Sequence, residues 1–397
     1  MSSARRFLSV CFVGALLTLL SACGSSACGG NSSVTSSGGA AAGGSTSAGS
    51  NCSSGGNTGG NTGTAQDLIY SLDGFNIAGA YYTGSSVLAL ASFNAPAIGN
   101  GTVADMTIVN GQFLYQPFVP TSGTSDIQGF SIAHSTGALS AIGGSPFPSH
   151  SVTDSLVADP KSRFLFAAES GTSTVESYQV NPTTGALTLV PGGPISLSFV
   201  PLSITVDGSG NYLYVGTDSG VGWVYGFNID QTSGALTPIV GSPWPLSVVE
   251  VGGETTGQFL IGRGAGVLQV FGLESGTGTP LPITSISPVS NATNHFVVHP
   301  SGKFIYTFSQ QVSGGSNFPV EGFLLDASGN ITAMSASPFS KLTSIYAGKI
   351  DQNGTAMVGL TPSGQFQVFA IDPTTGLLTA PAQPYSGVAN VFFAVTN

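Results

Sequence analysis

The sequence has few charged residues, and cationic ones are the scarcer. Only 7% of its 397 residues are charged, and 8 Lys and Arg stand against 18 Asp and Glu. Two arginines lie at positions 5 and 6, so the rest of the chain holds six basic residues: Lys161, Arg163, Arg263, Lys303, Lys341 and Lys349. A protein that binds nucleic acid needs a basic surface for the phosphates. The composition therefore excludes nucleic acid as a partner, and it disfavours contact between the folded domain and anionic lipid.

Cysteine is missing from most of the chain. The four cysteines, Cys11, Cys23, Cys28 and Cys52, all lie in the first 52 residues. The rest of the chain therefore has no thiolate nucleophile and no cysteine-ligated zinc, and packing must stabilise its fold. Motifs for helical zinc, EF-hand calcium, phosphate-binding loops and the G-x-S-x-G elbow are also missing after residue 65. We predict no metal site and no cofactor.

The first 23 residues have the pattern of an export signal. Arginines at positions 5 and 6 precede an apolar run over 7–20, which ends in the tetrapeptide LSAC. Its last residue, Cys23, stands where a bacterial lipobox has the cysteine that is acylated. An ordinary secretory signal is the alternative. An uncleaved membrane helix is disfavoured, because the run is shorter than the ~20 residues that span a bilayer.

Residues 24–65 are almost wholly Gly, Ser, Thr, Ala and Asn. Such a segment cannot bury enough apolar surface to offset the entropy of ordering, so we predict a disordered tether. The predicted organisation is a lipoprotein signal peptide over 1–23, the tether over 24–65 and a folded domain over 66–397. This predicts an exported bacterial envelope protein on the periplasmic or cell-surface side, which touches the membrane only through its lipid anchor.

One phrase recurs through the folded domain. Its clearest copy is VESYQVNPTTGALTLV, in which a strand-like alternation turns at Thr and Gly into a second short strand. Seven copies begin at Ile77, Ile127, Val175, Val224, Leu268, Val320 and Phe366. Their mean spacing is about 48 residues, and a period of roughly 40–50 residues with four strands predicts a β-propeller blade. We name the four strands a to d from the centre outward.

The repeat predicts an all-β, seven-bladed propeller of four-stranded antiparallel blades. The segment ANVFFAVTN follows the last copy as a lone strand, whereas DLIYSLDG, IAGAYYT and VLALAS are three strands that lack a strand a. We predict that both chain ends share one blade, which removes free sheet edges and favours a monomer. The aromatic residues of strands b and c are expected in the core: Tyr115, Phe166, Tyr214, Tyr306, Phe130, Tyr178, Phe227, Phe323 and Phe369.

The turns between the strands resemble those of a known family. Asp159-Pro160 and His299-Pro300-Ser301-Gly302 precede aromatic strands, NPTTGALT follows, and the segments SPFP and SPWP come next. These phrases resemble the lactonase family of seven-bladed propellers, which is related to 6-phosphogluconolactonase, over nearly all of 67–397. The resemblance implies action on lactones through charged residues around the central channel. A phosphorylated sugar lactone would call for several cations there, and this domain has few.

Strand direction separates two faces of the disc. The a–b and c–d turns share one face, and the b–c and d–a loops share the other, which we call the variable face because its segments are long and irregular. Such loops on a rigid scaffold usually carry binding sites. We predict five binding residues for this side of the molecule: His150, Asp154, Glu169, Trp244 and Arg263. Packing is the alternative for Trp244.

Strand a should turn its polar side chains toward the channel. Alignment of the blades places Glu250 beside His295 of the next blade, and Lys349 follows in the blade after that. A carboxylate, an imidazole and an amine that converge can perform acid–base chemistry on a lactone ring. A solvated ion pair in a water-filled channel is the alternative. By the same alignment His299 takes the turn position of Asp159, and His134 is expected to be exposed in a c–d turn.

Two functions follow from these observations. The first is a lipid-anchored binding or scaffold module that holds a small molecule, a glycan or an envelope protein on the variable face. It rests on the few titratable groups and the long tether. The second is a lactone hydrolase, which rests on the family resemblance and on the predicted cluster of Glu250, His295 and Lys349.

Overall fold

The computed structural model describes residues 67–73, 76–82, 87–89, 101–103, 105–120, 125–218, 220–288, 293–309, 319–339, 345, 347–361, 365–379 and 393–395. The predicted signal peptide, the acylation at Cys23 and the tether lie outside these residues and stay predictions. In the described part of the chain every regular element is a β-strand. No helix there is long and apolar enough to cross a membrane.

The strands form seven antiparallel sheets, which confirms the predicted fold class and blade number. The first described strands are β1 (Asp67–Asp73), β2 (Asn76–Tyr82) and β3 (Val87–Ala89). Blade 1 contains β4 (Gly101–Val103), β5 (Thr107–Val109), β6 (Phe113–Pro120), β7 (Asp126–Ala133), β8 (Ala138–Ala141) and β9 (Phe147–Pro148). Blade 2 contains β10 (Thr153–Ala158), β11 (Phe164–Glu169), β12 (Thr174–Val180), β13 (Leu187–Leu189) and β14 (Ile195–Ser196).

The next four blades have four strands each. Blade 3 is β15 (Val200–Val206), β16 (Tyr212–Asp218), β17 (Val224–Ile229) and β18 (Leu236–Pro238). Blade 4 is β19 (Glu250–Gly253), β20 (Phe259–Gly264), β21 (Val267–Leu273) and β22 (Pro280–Ile286). Blade 5 is β23 (Thr293–Val298), β24 (Phe304–Ser309), β25 (Val320–Leu325) and β26 (Ile331–Ala333). Blade 6 is β27 (Ala347–Ile350), β28 (Ala356–Leu360), β29 (Phe366–Ile371) and β30 (Leu378–Thr379).

The two chain ends share the seventh blade, as predicted. The last strand, β31 (Phe393–Val395), pairs with β1, and Ile69 faces Val395 across the pair. The innermost strands also touch in a closed circle, in the order β5, β10, β15, β19, β23, β27, β31 and back to β5. Strands from both ends of the chain therefore form one sheet that closes the ring. This closure protects the edges of the innermost strands.

Packing between blades builds the core. In β11 and β24, which are both strands b, every residue is buried. Such strands lie inside the sheet and are covered on both faces by neighbouring blades, so their sequences are apolar and aromatic. The nine aromatic residues predicted for the core are all buried. One cluster shows the arrangement, since Tyr115 of blade 1 packs with Leu156 and Tyr178 of blade 2.

A tyrosine of strand b links each of several blades to the next. The hydroxyls donate to carbonyl oxygens of turn glycines in the following blade, in the pairs Tyr70–Gly137 (2.8 Å), Tyr115–Gly185 (2.5 Å), Tyr214–Gly278 (2.5 Å) and Tyr306–Gly376 (2.6 Å). These glycines have φ between 69° and 72°, the left-handed region that favours glycine. The Gly of the repeated phrase thus serves both its own turn and the junction between blades.

The a–b turns are fixed by one side chain at a recurring position. Asp159 accepts the backbone N–H of Phe164 at 2.9 Å, and Asp207 accepts that of Tyr212 at 2.7 Å. His299 takes this position in blade 5, where its own N–H donates to the carbonyl of Phe304 at 2.8 Å. The prediction that His299 is a turn residue is confirmed, and His134 is exposed as expected.

Candidate functional site

A cavity of about 580 Å³ lies where the innermost strands begin. Residues of blades 1 to 6 line it, including five at equivalent positions of strand a: Ser155, Ser203, Glu250, His295 and Ala347. The residues that alternate with them pack between blades, as Leu156, Ile204 and Phe296 do. Period-2 alternation in strand a therefore turns these five residues toward the cavity and the alternate residues toward the core, and Leu156 and Ile204 also reach the cavity lining.

Glu250 is the centre of a charged cluster on the cavity wall. It starts β19, and the strand register places it opposite Arg263 of β20. Arg263 Nε donates to Glu250 Oε2 at 2.6 Å, and His295 Nδ1 contacts Glu250 Oε1. The carboxylate thus has one partner on the neighbouring strand of its own blade and one on the next blade.

The surroundings of Glu250 favour its charged form. Burial alone raises the pKa of the carboxyl, because a partly buried charge loses hydration. The attraction of His295 and Arg263, with the hydrogen bond from each, outweighs burial and leaves the pKa of Glu250 below its ordinary value. The exposed side-chain fractions are 15% for Glu250, 17% for Arg263 and 33% for His295. Glu250 is therefore an anion over the neutral pH range, with the imidazole as its more accessible partner.

Two contacts orient the ring of His295. Its Nδ1 meets Glu250, and the ring stacks on the buried ring of Phe308, with centroids 6.0 Å apart and planes 21° apart. The contact with Glu250 uses Nδ1, so Nε2 is the nitrogen that remains for a ligand. A carboxylate behind an imidazole fixes the tautomer and stabilises the imidazolium, which suits a general base.

Further polar groups complete the cavity. Asp105 accepts the hydroxyl of Ser155 at 3.2 Å, which ties blade 1 to blade 2. Burial raises the pKa of Asp154, against a hydrogen bond from Ser170 that lowers it. Lys349 brings an ammonium group to the same cavity from β27. The cavity therefore holds acid, base and cation together, which is the composition of a site for polar chemistry.

One family model matches part of the sequence. Residues 124–251 match the profile of the family described as "Lactonase, 7-bladed beta-propeller". Over this segment the chain resembles that family, and its fold is the seven-bladed propeller. Among curated proteins, no sequence matches it.

Solved structures share the fold of this propeller at low sequence identity. The periplasmic gluconolactonase of Pseudomonas aeruginosa superposes with a TM-score of 0.65 at 15% identity, over 83% of this chain and 98% of that protein. A Bacteroides fragilis protein provisionally named 6-phosphogluconolactonase gives 0.65 at 15% identity, over 85% and 99% of the two chains. A Lactobacillus plantarum protein gives 0.64 at 15% identity, over 83% and 99%. At this identity the likeness shows the fold.

The residues predicted as a catalytic cluster all line one cavity. Glu250 contacts His295, and Lys349 lines the same cavity. Of the predicted binding residues, Asp154 and Arg263 also line it. Arg263, predicted as a binding residue, is paired with Glu250 in the structure.

Three predicted binding residues lie away from the cavity lining. Glu169 is fully buried and accepts the backbone N–H of His150 at 3.0 Å, while the His150 residue is exposed. Trp244 packs against the cluster that contains Tyr214 and Ile239, so the structure shows the packing alternative.

Asp105 and Leu202 are among the cavity residues that sequence reasoning missed. Asp105 belongs to the blade whose inner edge is divided between β4 and β5, so the alignment of the other strands a does not reach it. The sequence does contain a pattern that could have identified Leu202. It is an apolar residue two positions before Ile204 on strand a, on the side of the variable face.

Proposed function

We propose that this lactonase-like propeller hydrolyses neutral lactones in the cavity around Glu250 and His295. The main observation in support is the cluster of Glu250, His295 and Arg263. This cluster lies on the wall of a cavity of about 580 Å³, which Lys349 also lines. The family match over 124–251 and the fold shared with a gluconolactonase support the same activity.

In the proposed reaction His295 acts as the general base. Its neutral ring takes a proton from water at Nε2 while the water oxygen bonds to the lactone carbonyl carbon. The carbonyl electron pair moves to oxygen and forms a tetrahedral oxyanion, which the Lys349 ammonium stabilises. The ring C–O bond then breaks, His295 returns the proton to the leaving oxygen, and the product is a hydroxy acid. Glu250 stays ionised throughout and orients the imidazole.

The charge of the cavity selects the substrate class. Its lining has two cationic side chains, Arg263 and Lys349, against three carboxyl groups, Asp105, Asp154 and Glu250. Arg263 is already paired with Glu250. A phosphate would therefore meet little uncompensated positive charge, since phosphate sites are built from several cations. We propose lactones without a phosphate group.

The test compares two histidines in the purified full chain. Acid release from glucono-δ-lactone and δ-valerolactone is followed at constant pH. His295→Gln should lower kcat by about 10²–10⁴-fold, the usual contribution of a general base. His134→Gln, on an exposed turn, is the matched control and should match wild type. Unchanged turnover by His295→Gln and Glu250→Gln would remove this site from the proposal.

The binding or scaffold module predicted from the sequence is the second candidate. Its support is the exposed apolar surface beside the cavity, at Val200, Leu202 and Val221. It is favoured if the protein binds lactones saturably in calorimetry but releases no acid from any of them.

The proposed location is the bacterial envelope, on the exported side. The support is the signal-like pattern of residues 1–23 with Cys23 at its end. The fold is also shared with a protein named as a periplasmic gluconolactonase. Expression of the full chain should give an acylated, membrane-associated protein, and Cys23→Ala should release it to the soluble exported fraction. A wild-type protein without acyl mass would contradict the anchor.

A further inference from the structure

An apolar rim borders the cavity at blade 3. We define the rim as Val200 and Leu202 of β15, Val221 between β16 and β17, and the rings of Phe199 and Trp223, which stack with centroids 5.9 Å apart. Leu202 is 47% exposed and Val221 is 53% exposed. Leu202 also lines the cavity. The rim and the polar cavity are therefore continuous at Leu202.

The backbone directs Leu202 away from the core. The pairing of β15 with β16 shifts register between Pro201 and Ser203, so that Leu202 is an additional residue in its strand. A bulge of this kind redirects a side chain, and bulges are frequent beside active sites. Neighbouring Ile204, by contrast, is buried between blades.

The loop that presents Val221 is fixed in a similar way. Thr217 donates to the carbonyl of Trp223 through N–H at 3.1 Å and through Oγ1 at 2.9 Å. Gly222 has φ of 74°, and a Cβ added there would lie 2.5 Å from the backbone nitrogen of Val248. Only glycine fits this approach. The loop is therefore held against the segment that contains Val248, and the Val221 side chain is exposed to solvent.

The rim is joined to the charged cluster through one serine. Ser203 Oγ donates to the carbonyl of Val249 at 3.0 Å and accepts the N–H of Val251 at 3.0 Å. These two residues flank Glu250, and Leu202 directly precedes Ser203. The apolar rim is thus attached to the same backbone segment that holds the Glu250 carboxylate.

We propose that the rim binds an alkyl substituent of a lactone whose ring occupies the cavity. This inference rests on the proposed function and names its substrate class, a neutral lactone with a hydrocarbon chain. Exposed apolar residues grouped beside a polar pocket are a feature of ligand-binding sites. The rim has no charged member, so it can remove a hydrocarbon chain from water without desolvating an ion.

The experiment uses two lactones with the same ring. δ-Valerolactone has no side chain, and δ-decalactone has a pentyl group beside the ring oxygen. Each methylene buried on binding increases affinity roughly fourfold. Because the rim is open on one side, we expect KM for δ-decalactone to be about tenfold lower than for δ-valerolactone, a value within the range for partly buried apolar groups.

Two leucines give a matched pair of variants. Leu202→Ser should raise KM for δ-decalactone to the value for δ-valerolactone. The control is Leu281→Ser, because Leu281 is 51% exposed on β22 and is not among the residues that line the cavity. It should keep the tenfold preference.

A second measurement does not need turnover. In a Trp244→Phe background the fluorescence reports Trp223 of the rim, because the sequence has only 2 tryptophans. δ-Decalactone should shift the emission saturably to shorter wavelength, and δ-valerolactone should do so only at about tenfold higher concentration, in keeping with the lost methylene contacts.

The two proposals fail separately. Turnover with equal KM for the two lactones in wild type and Leu202→Ser would overturn the rim and leave the hydrolase in place. Saturable Trp223 emission shifts without acid release would overturn the hydrolase and support the rim. Dimers in light scattering that dissociate in Leu202→Ser would show a second copy on the rim and would also overturn its role in ligand binding.

Discussion

Glu169 and Glu176 form a buried carboxyl pair beneath the connection that carries His150. Glu169 Oε1 accepts the N–H groups of His150 at 3.0 Å and Ser151 at 3.2 Å, and its Oε2 accepts the hydroxyl of Thr174 at 2.6 Å. Burial raises the pKa of Glu169 to about 7; the Thr174 hydrogen bond opposes the rise and the charge of Glu176 adds to it. The pair should therefore make stability depend on pH.

The sign follows from proton binding. The ordinary pKa is 4.5 and the folded value about 7, so between these values the folded protein holds a proton that the unfolded chain has lost. The stabilisation is complete below pH 4.5 and is lost as pH rises through 7. The difference of 2.5 pKa units corresponds to at most about 3 kcal/mol in the free energy of unfolding.

Glu169→Gln removes this dependence, because the amide keeps an acceptor oxygen for the N–H groups and has no proton to lose. Urea titrations at pH 5, 6, 7 and 8 measure it. We expect wild type to lose up to about 3 kcal/mol more than the variant across this range. Glu274→Gln, on an exposed turn, should follow wild type. Parallel losses in wild type and Glu169→Gln would refute the reasoning, since the lost stability would then come from other groups.

Other variants test the blade junctions and the site. Tyr214→Phe should lower the free energy of unfolding by about 1 kcal/mol, the value of one buried hydrogen bond, in a urea titration. Phe166 occupies the equivalent position in blade 2, and Phe164 packs on Gly234 just as Tyr212 packs on Gly278. Phe166→Tyr should therefore gain a bond to the Gly234 carbonyl and about 1 kcal/mol; a loss above 1 kcal/mol would mean that the equivalence is wrong. Arg263→Gln removes an attraction that lowers the pKa of Glu250, so the acidic limb of the kcat/KM profile should move to higher pH, and an unmoved limb would contradict the role of Arg263.

Repetition explains why the fold could be predicted from the sequence. Each copy of the phrase around Val175 specifies two strands and a turn, so seven copies specify seven sheets. The pairing of β31 with β1 followed from counting the strands left over at the ends. Such local patterns need no knowledge of distant contacts, because one blade predicts its neighbours.

The placement of Glu250 beside His295 could also be predicted, because both lie at the same position of strand a in consecutive blades. The contact with Arg263 needed the register of β19 with β20, which depends on the turn between them. The period-2 alternation of strand residues alone could not predict the pairing of Glu169 with Glu176. Both lie on strands whose residues are all or nearly all buried, so no polar face distinguishes them in the sequence.

His295 and His299 show how a repetitive fold separates structure from chemistry. Both rings lie in blade 5, yet both ring nitrogens of His299 are bonded, Nδ1 to Ser301 and Nε2 to the carbonyl of Gly354 at 2.8 Å. His299 stands at the recurring turn position, so both of its ring nitrogens are used in hydrogen bonds that fix turns. His295 stands at an inner-ring position where blade 3 has Ser203, and that position faces the cavity. Substitution there changes the cavity without disturbing a turn, which is why a ring of similar blades can carry one distinct site.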